Sequence, residues 1–402
     1  MNIIIDASWI ADQKFDLKVK GGAIRVLLEL LNGLGQYPNH NFYLTNSSYL
    51  PEDEIKLKKF QKEFLDYPNI KVSAVKFGFL RNIFLRKIFY KISLYIPINY
   101  YIPFVPKSVL EIMDVYHSCN DALPRFIRIN KSVKKFYTAL DLIPILRPDY
   151  SNQFFEYTKN IYSSLPVDSK ILAISQSTKK DILTFRPDIK ENQIRVIYLG
   201  ASKSTFYYNN DIEYLNKELS RFHLEYKKYF LTLNAVAKYK NFETVLEGYL
   251  EFKRTSNFNF SMVIVGSNRE SEYKNYLSTK YGSDLNLIFL ENIEDSDLNI
   301  LYNGSKSFFY LSKYEGFGLP VLEAMQCGSP VICSNVTSLP EIAGNAALQC
   351  APEDINSFVE NIKLICNNPE LEEKMVHSGL HHSKIFSWDK YRLEVIKAYE
   401  EF

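Results

Sequence analysis

The sequence predicts an α/β protein built as two doubly wound, parallel-sheet domains that face each other across a cleft. Three observations carry this. At 402 residues the chain is too long for one ordinary core, and two domains of roughly 150–200 residues are expected. Short apolar runs of strand length alternate with stretches of helical spacing, first over residues 2–197 and again over 229–366. Such alternation points to parallel sheets covered by helices. Between the two series, the polar, Tyr- and Asn-rich stretch 199–228 breaks the rhythm and reads as an inter-domain linker. The expected division is a first domain over 1–205, a second over 206–385, and a closing helix over 386–402.

The elements follow in order. Residues 2–5 (NIII) are a first strand, and a polar loop with Gly21 and Gly22 leads to a helix over 24–34. Strands are expected at 42–44, 70–75, 114–117, 135–140, 171–174 and 195–197, with a helix at 178–184. The second series has strands at 229–233, 261–265, 286–290, 307–311 and 330–333. Its helices are expected at 241–252, 270–281, 297–302, 320–326 and 353–366.

Composition excludes several classes. The chain has 48 Lys and Arg against 46 Asp and Glu, a net charge of +2, so no nucleic-acid footprint is present. Hydrophobic residues make up 46% and charged residues 23%, as in a folded globular protein. Five cysteines with no C-x-x-C pair read as reduced thiols in a cytoplasmic protein without structural zinc. The N-terminal apolar stretch is short and has no basic region before it, so a first strand is expected there rather than a signal peptide. No apolar run reaches the roughly 18–20 residues of a transmembrane helix; the nearest, 92–105, is broken by Pro97 and Pro103.

The densest constellation is 314–325, YEGFGLPVLEAM. A strand ends near Leu311 and a helix is expected to begin at Pro320, whose fixed φ suits a first helical position. Gly316 and Gly318 allow a sharp turn and a close backbone approach. The free N–H groups at the positive end of the helix dipole make an anion site suited to a diphosphate. Glu315 and Glu323 frame the turn. A carboxylate can accept two hydroxyl hydrogens and so read a vicinal diol, and a nucleotide sugar offers one diol on its sugar and another on its ribose.

This segment resembles the E-x7-E signature of glycosyltransferase family 4, enzymes of the GT-B architecture. The runs 338–342 (SLPEI), 344–348 (GNAAL) and 386–388 (FSW) resemble its continuation. The resemblance implies that Glu315 holds hydroxyls of the transferred sugar, assisted by amides around Phe317 to Leu319, and that Glu323 holds the ribose. It implies that the closing helix crosses back to the first domain. The stretch 237–241 (AKYKN) is similar to the family's P-R-K-N, which makes Lys240 the cation facing the leaving diphosphate, where negative charge develops. Tyr239 stands in place of the usual Arg, and Lys238 is a candidate for the second positive charge.

The first half carries weaker matches. Gly21-Gly22-Ala23-Ile24-Arg25 resembles the family's G-I-G-R loop, with Ile24 where a second glycine is usual; plain turn chemistry explains a Gly pair equally well. Asp114 to His117 (DVYH) resembles a D-V-x-H strand end, and 137–144 (YTALDLIP) resembles T-x-H-D-L-I-P with Leu140 replacing His. Asp141 and His117 are therefore candidates for sugar or acceptor contacts. Asp295-Ser296-Asp297 reads as a helix N-cap rather than a metal-binding D-x-D, and no metal is expected. The stretch 79–91 (FLRNIFLRKIFYK) reads either as a buried helix or as one lying on an anionic membrane surface.

The function this implies is a retaining, metal-independent glycosyltransferase, working in the cytoplasm or at the inner face of the cell membrane. It would move a hexose, with mannose- or rhamnose-type donors favoured, from a nucleotide sugar to a glycan or lipid-linked acceptor of bacterial surface polysaccharide. Two other readings stay open: a weakly active sugar-nucleotide-binding partner subunit, and an epimerase or hydrolase of the same fold. A nicotinamide dehydrogenase is not expected, since no G-x-G-x-x-G follows a strand.

Overall fold

The computed structural model describes residues 1–11, 22–46, 51–73, 105–119, 121–151, 154–234, 237–266, 279–280 and 285–402. Gly21, the stretch 79–91 and most of the helix expected at 270–281 lie outside the described residues.

The first sheet contains β1 (Asn2–Asp6), β2 (Asn41–Thr45), β3 (Ile70–Val72), β4 (Val115–Cys119), β5 (Lys134–Ala139), β6 (Lys170–Ala173) and β7 (Ile194–Val196), in the order β3-β2-β1-β4-β5-β6-β7. The second contains β8 (Tyr229–Asn234), β9 (Ser261–Gly266), β10 (Leu287–Leu290), β11 (Ser307–Tyr310), β12 (Val331–Ser334) and β13 (Leu348–Cys350), in the order β10-β9-β8-β11-β12-β13. All pairings in both sheets are parallel. Parallel strands are covered on both faces, which explains their near-continuous apolar sequence. In β1, Ile3 and Ile5 enter one core and Ile4 another, all fully buried; in β11, Phe308 and Phe309 divide in the same way. Each such side chain contributes about 1.5–3 kcal/mol of burial.

Eight helices position the site: α1 (Gly22–Leu31), α2 (Gln176–Phe185), α3 (Ile212–Leu219), α4 (Phe242–Thr255), α5 (Asp295–Gly304), α6 (Leu319–Gln326), α7 (Leu339–Ala343) and α8 (Trp388–Glu401). The stretch expected as a linker is in part a folded piece of the second half. Its α3 buries Leu215 and Leu219, and α5 anchors the chain before it through asparagines. Tyr207 N–H donates to Asn299 (3.0 Å), Asn209 N–H donates to Asn303 (2.7 Å), and Asn303 donates back to the Tyr207 carbonyl (2.9 Å).

The last helix returns to the first sheet. Arg392 in α8 donates to the Glu29 carbonyl of α1 at 2.8 Å, and Lys134 in β5 donates to the Tyr399 carbonyl at 3.1 Å. Tyr399 packs edge-on against Phe136 with ring centroids 4.9 Å apart. The strand order reverses between β1 and β4 in one sheet and between β8 and β11 in the other. Ligands of open α/β sheets bind at the carboxyl ends of strands at such reversals.

Candidate functional site

The turns leaving β8 and β11 bring Lys240 and Glu315 together. Lys240 closes the short turn Lys238–Lys240 after β8. Its ammonium donates to Glu315 Oε1 at 2.7 Å and to the Tyr310 hydroxyl at 2.6 Å, and lies 5.1 Å from the centres of both the Tyr239 and Tyr310 rings. Burial works to lower this ammonium's pKa, but the charge of Glu315 and its hydrogen bond outweigh burial and hold it above the ordinary lysine value. Glu315 is 8% exposed, and its N–H donates to Thr337 Oγ1 at 3.0 Å. Lys238, on the same turn, is exposed.

Beyond Glu315 the chain turns tightly. A Cβ on Gly316 would sit 2.3 Å from the Leu140 carbonyl oxygen and 2.9 Å from Asp141 Cβ, so only glycine lets the two domains meet here. Gly318 has φ +107 and precedes α6 as its N-cap residue, a backbone shape that favours glycine. No side chain caps α6; Pro320 has no N–H and the Val321 and Leu322 N–H groups bond the Gly318 carbonyl, so the helix's donor toward an anion is the Leu319 N–H, next to Phe317. The helix begins at Leu319, so Pro320 occupies the second helical position rather than the first. Glu323 is consequently the fifth residue of α6, past its first turn, and does not serve the helix dipole.

Glu323 meets a residue from the other domain. Arg25 of α1 hydrogen-bonds through Nη1 to Glu323 Oε1 and through Nη2 to Asp295 Oδ2 at 2.9 Å. Burial raises the Glu323 carboxyl above its ordinary range, and Arg25 opposes that rise. A cavity of about 370 Å³ opens at this pair, lined among others by Arg25, Ser202, Phe206, Asp295, Glu323 and Trp388. Asp295 is the first residue of α5 and not its N-cap, which is Glu294; its carboxylate faces Arg25 instead. Asp297 pairs with Arg221 at 3.1 Å.

Asp141, after β5, faces the Glu315–Lys240 pair from the first domain. Its Oδ1 accepts the Ile143 N–H at 3.0 Å. Burial pushes its carboxyl up to about 6, the Ile143 N–H opposes this, and the neighbouring Glu315 raises it further. Tyr239, in place of an arginine, reaches Tyr150 of the first domain with ring centroids 6.1 Å apart.

His117 does not join the site. It is fully buried in β4, beneath α8, with Nε2 2.8 Å from Thr138 Oγ1 and Nδ1 hydrogen-bonded to the Tyr399 hydroxyl. Burial lowers its pKa to about 3, so it stays neutral and structural. The expectation of a sugar or acceptor contact at His117 is therefore corrected: its side of the sheet is covered by the closing helix. Gly22 opens α1, and a Cβ added there would meet no atom within 4 Å among the described residues. Sequence reasoning singled out neither Tyr310 nor the tie between Arg25 and Glu323. Tyr310 carries no motif, and the partner of Arg25 lies 298 residues away.

The family model "Glycosyl transferases group 1" matches residues 216–382, within the second half. The chain is 28% identical over 288 residues to the O-antigen chain mannosyltransferase B of Escherichia coli, covering 71% of this chain and 74% of that protein. It is 28% identical over 254 residues to the serotype-specific mannosyltransferase WbdA of Escherichia coli, covering 62% of this chain but only 31% of that protein's length. The structure of Anabaena Alr3699/HepE in complex with UDP and glucose superposes with a TM-score of 0.67 at 13% identity, covering all of both chains. The fold is GT-B: two parallel-sheet α/β domains.

Proposed function

We propose that this glycosyltransferase of GT-B fold transfers a hexose of mannose type from a nucleotide sugar to a growing surface polysaccharide or its lipid-linked precursor, retaining the donor's anomeric configuration. The observation that carries the reading is the part-buried Lys240–Glu315 pair at the β8/β11 reversal, beside the N-terminus of α6, which no side chain caps. Donor type and acceptor class are taken from the named activities of the two mannosyltransferases to which the chain is similar.

In this reading the diphosphate lies at the α6 N-terminus, and Lys240 neutralises the charge that develops as the sugar–phosphate bond breaks. Glu315 accepts hydroxyls of the transferred sugar, and Glu323 accepts those of the ribose, exchanging or sharing its bond to Arg25. The acceptor hydroxyl attacks the anomeric carbon on the face from which the diphosphate departs, and its proton passes to the leaving phosphate oxygen. Asp141, on the acceptor side, orients a hydroxyl. Lys238 sits at the rim as a second, screened positive charge. In this reading no divalent metal takes part, and the D-x-D carboxylates pair with Arg25 and Arg221 instead. Among the described residues no helix is long and apolar enough to cross a membrane; the enzyme would meet a lipid-linked acceptor at the inner membrane face.

The test is thermal-shift screening with GDP-mannose, UDP-glucose and dTDP-rhamnose, followed by product analysis with polyprenyl-linked acceptors. Stabilisation by GDP-mannose and an acceptor lengthened by one hexose are expected. Binding without transfer would favour a partner subunit, and free sugar or an epimer as the sole product would favour the hydrolase or epimerase reading.

A further inference from the structure

Three hydrogen bonds from the first domain end on one carboxylate of the second. Glu341, in α7, accepts the backbone N–H of Gln176 at 2.9 Å, the backbone N–H of Ser177 at 3.1 Å and the Tyr198 hydroxyl at 3.1 Å. Gln176 and Ser177 are the first two residues of α2, and the helix's own cap, Ser175, is occupied with the N–H of Thr178. Glu341 thus supplies an anion, from the other domain, to two N–H groups at a positive helix end.

The same two helices also grip the donor turn. Ser338, the N-cap residue of α7, places its hydroxyl 3.0 Å from the Glu315 carbonyl and 2.8 Å from the Phe317 carbonyl. From α2, the Thr178 hydroxyl lies 3.3 Å from both the Leu140 and Gly316 carbonyls, and Asp181 accepts from the Tyr314 hydroxyl. The turn bearing Glu315 and the loop bearing Asp141 are therefore fastened to one another through α2 and α7, and Glu341 is the charged link between those helices.

We propose that Glu341 is a positioning residue that latches the two domains in the arrangement where Asp141 faces the Glu315–Lys240 pair. It acts on the reaction through that alignment, and the inference rests on reading Glu315 and Lys240 as the donor end of the site.

The test uses the full chain with Glu341→Ala and Glu341→Gln. Glu353→Ala serves as a control, since it removes an exposed pair with Lys313 inside the second domain. Small-angle scattering without ligand should show a larger radius of gyration for Glu341→Ala and an unchanged one for the control. Nucleoside diphosphate release from GDP-mannose, UDP-glucose or dTDP-rhamnose, whichever most stabilises the wild type, should show kcat about 10- to 100-fold lower in Glu341→Ala. Donor KM should stay within about twofold, and Glu341→Gln, which keeps one acceptor oxygen, should recover part of the loss. Superimposable scattering curves with wild-type kcat would overturn the latch. So would KM and kcat worsening together, the mark of a damaged donor turn. Glu315→Ala runs alongside: if it is inactive while Glu341→Ala is fully active, the latch alone fails, and if Glu315→Ala is itself fully active, the donor reading fails first.

Discussion

Replacing Asp141 by Asn should stabilise the protein while impairing it. The carboxyl is pushed up to about 6 from an ordinary value of 3.8, chiefly by burial. A displacement of that size corresponds to at most about 3 kcal/mol between protonation states, and its partial exposure reduces this toward ~1–3 kcal/mol. The direction follows from proton binding. Below pH 3.8 the carboxyl is protonated in both folded and unfolded chains and has no effect. Between about 3.8 and 6 the folded chain holds a proton that the unfolded chain has released, so stability falls as pH rises. Above 6 the full cost of an ionised, buried carboxylate remains. Asn is neutral throughout, and its Oδ1 can still accept the Ile143 N–H. Urea denaturation of both proteins should therefore coincide near pH 3.5 and diverge to a gain of ~1–3 kcal/mol for Asp141→Asn by pH 7.5, while kcat falls. A pH-independent difference, or no gain at pH 7.5, would refute the reasoning.

Further outcomes are expected from the same geometry. Glu315→Ala and Lys240→Ala should each lower kcat by about 100-fold or more, since each removes charge stabilisation at the reacting bond, whereas EDTA should leave the rate unchanged; inactivation by the chelator would contradict the metal-free reading. Arg25→Ala leaves Glu323 buried without its cation and should cost ~3–5 kcal/mol in denaturation, most of it recovered when Glu323→Gln is added; a neutral effect would show the pair to be incidental. Gly316→Ala drives a methyl into the Leu140 carbonyl and should cost ~1–3 kcal/mol with a large drop in kcat; wild-type kinetics would show that the domains do not meet at this turn.

Much of the architecture was readable because parallel strands announce themselves as short apolar runs. The strands expected at 42–44, 171–174 and 261–265 differ from the observed ones by a residue or two at most. The turn at 314–319 was readable because glycines and a proline are demanded locally, by φ at Gly318 and by close approach at Gly316. The start of α6 was misplaced by one residue, since Leu319 and Pro320 both suit a first turn. His117 was misread because a strand residue's face depends on what covers it, and the cover here is a helix some 280 residues later.

Taken alone, the sequence determined the periodicities that fold two parallel sheets and the glycine-hinged turn that leaves Glu315 and an open helix end at one strand terminus. These are local properties, set by side-chain size, φ and spacing over a few residues. Tertiary structure alone decided which charges meet: Lys240 with Glu315, Arg25 with Glu323 and Asp295, and Glu341 with the N-terminus of α2. Those pairs join segments up to 298 residues apart. Charge pairing of this kind depends on distance and burial in the folded chain, and no local pattern of residues encodes either.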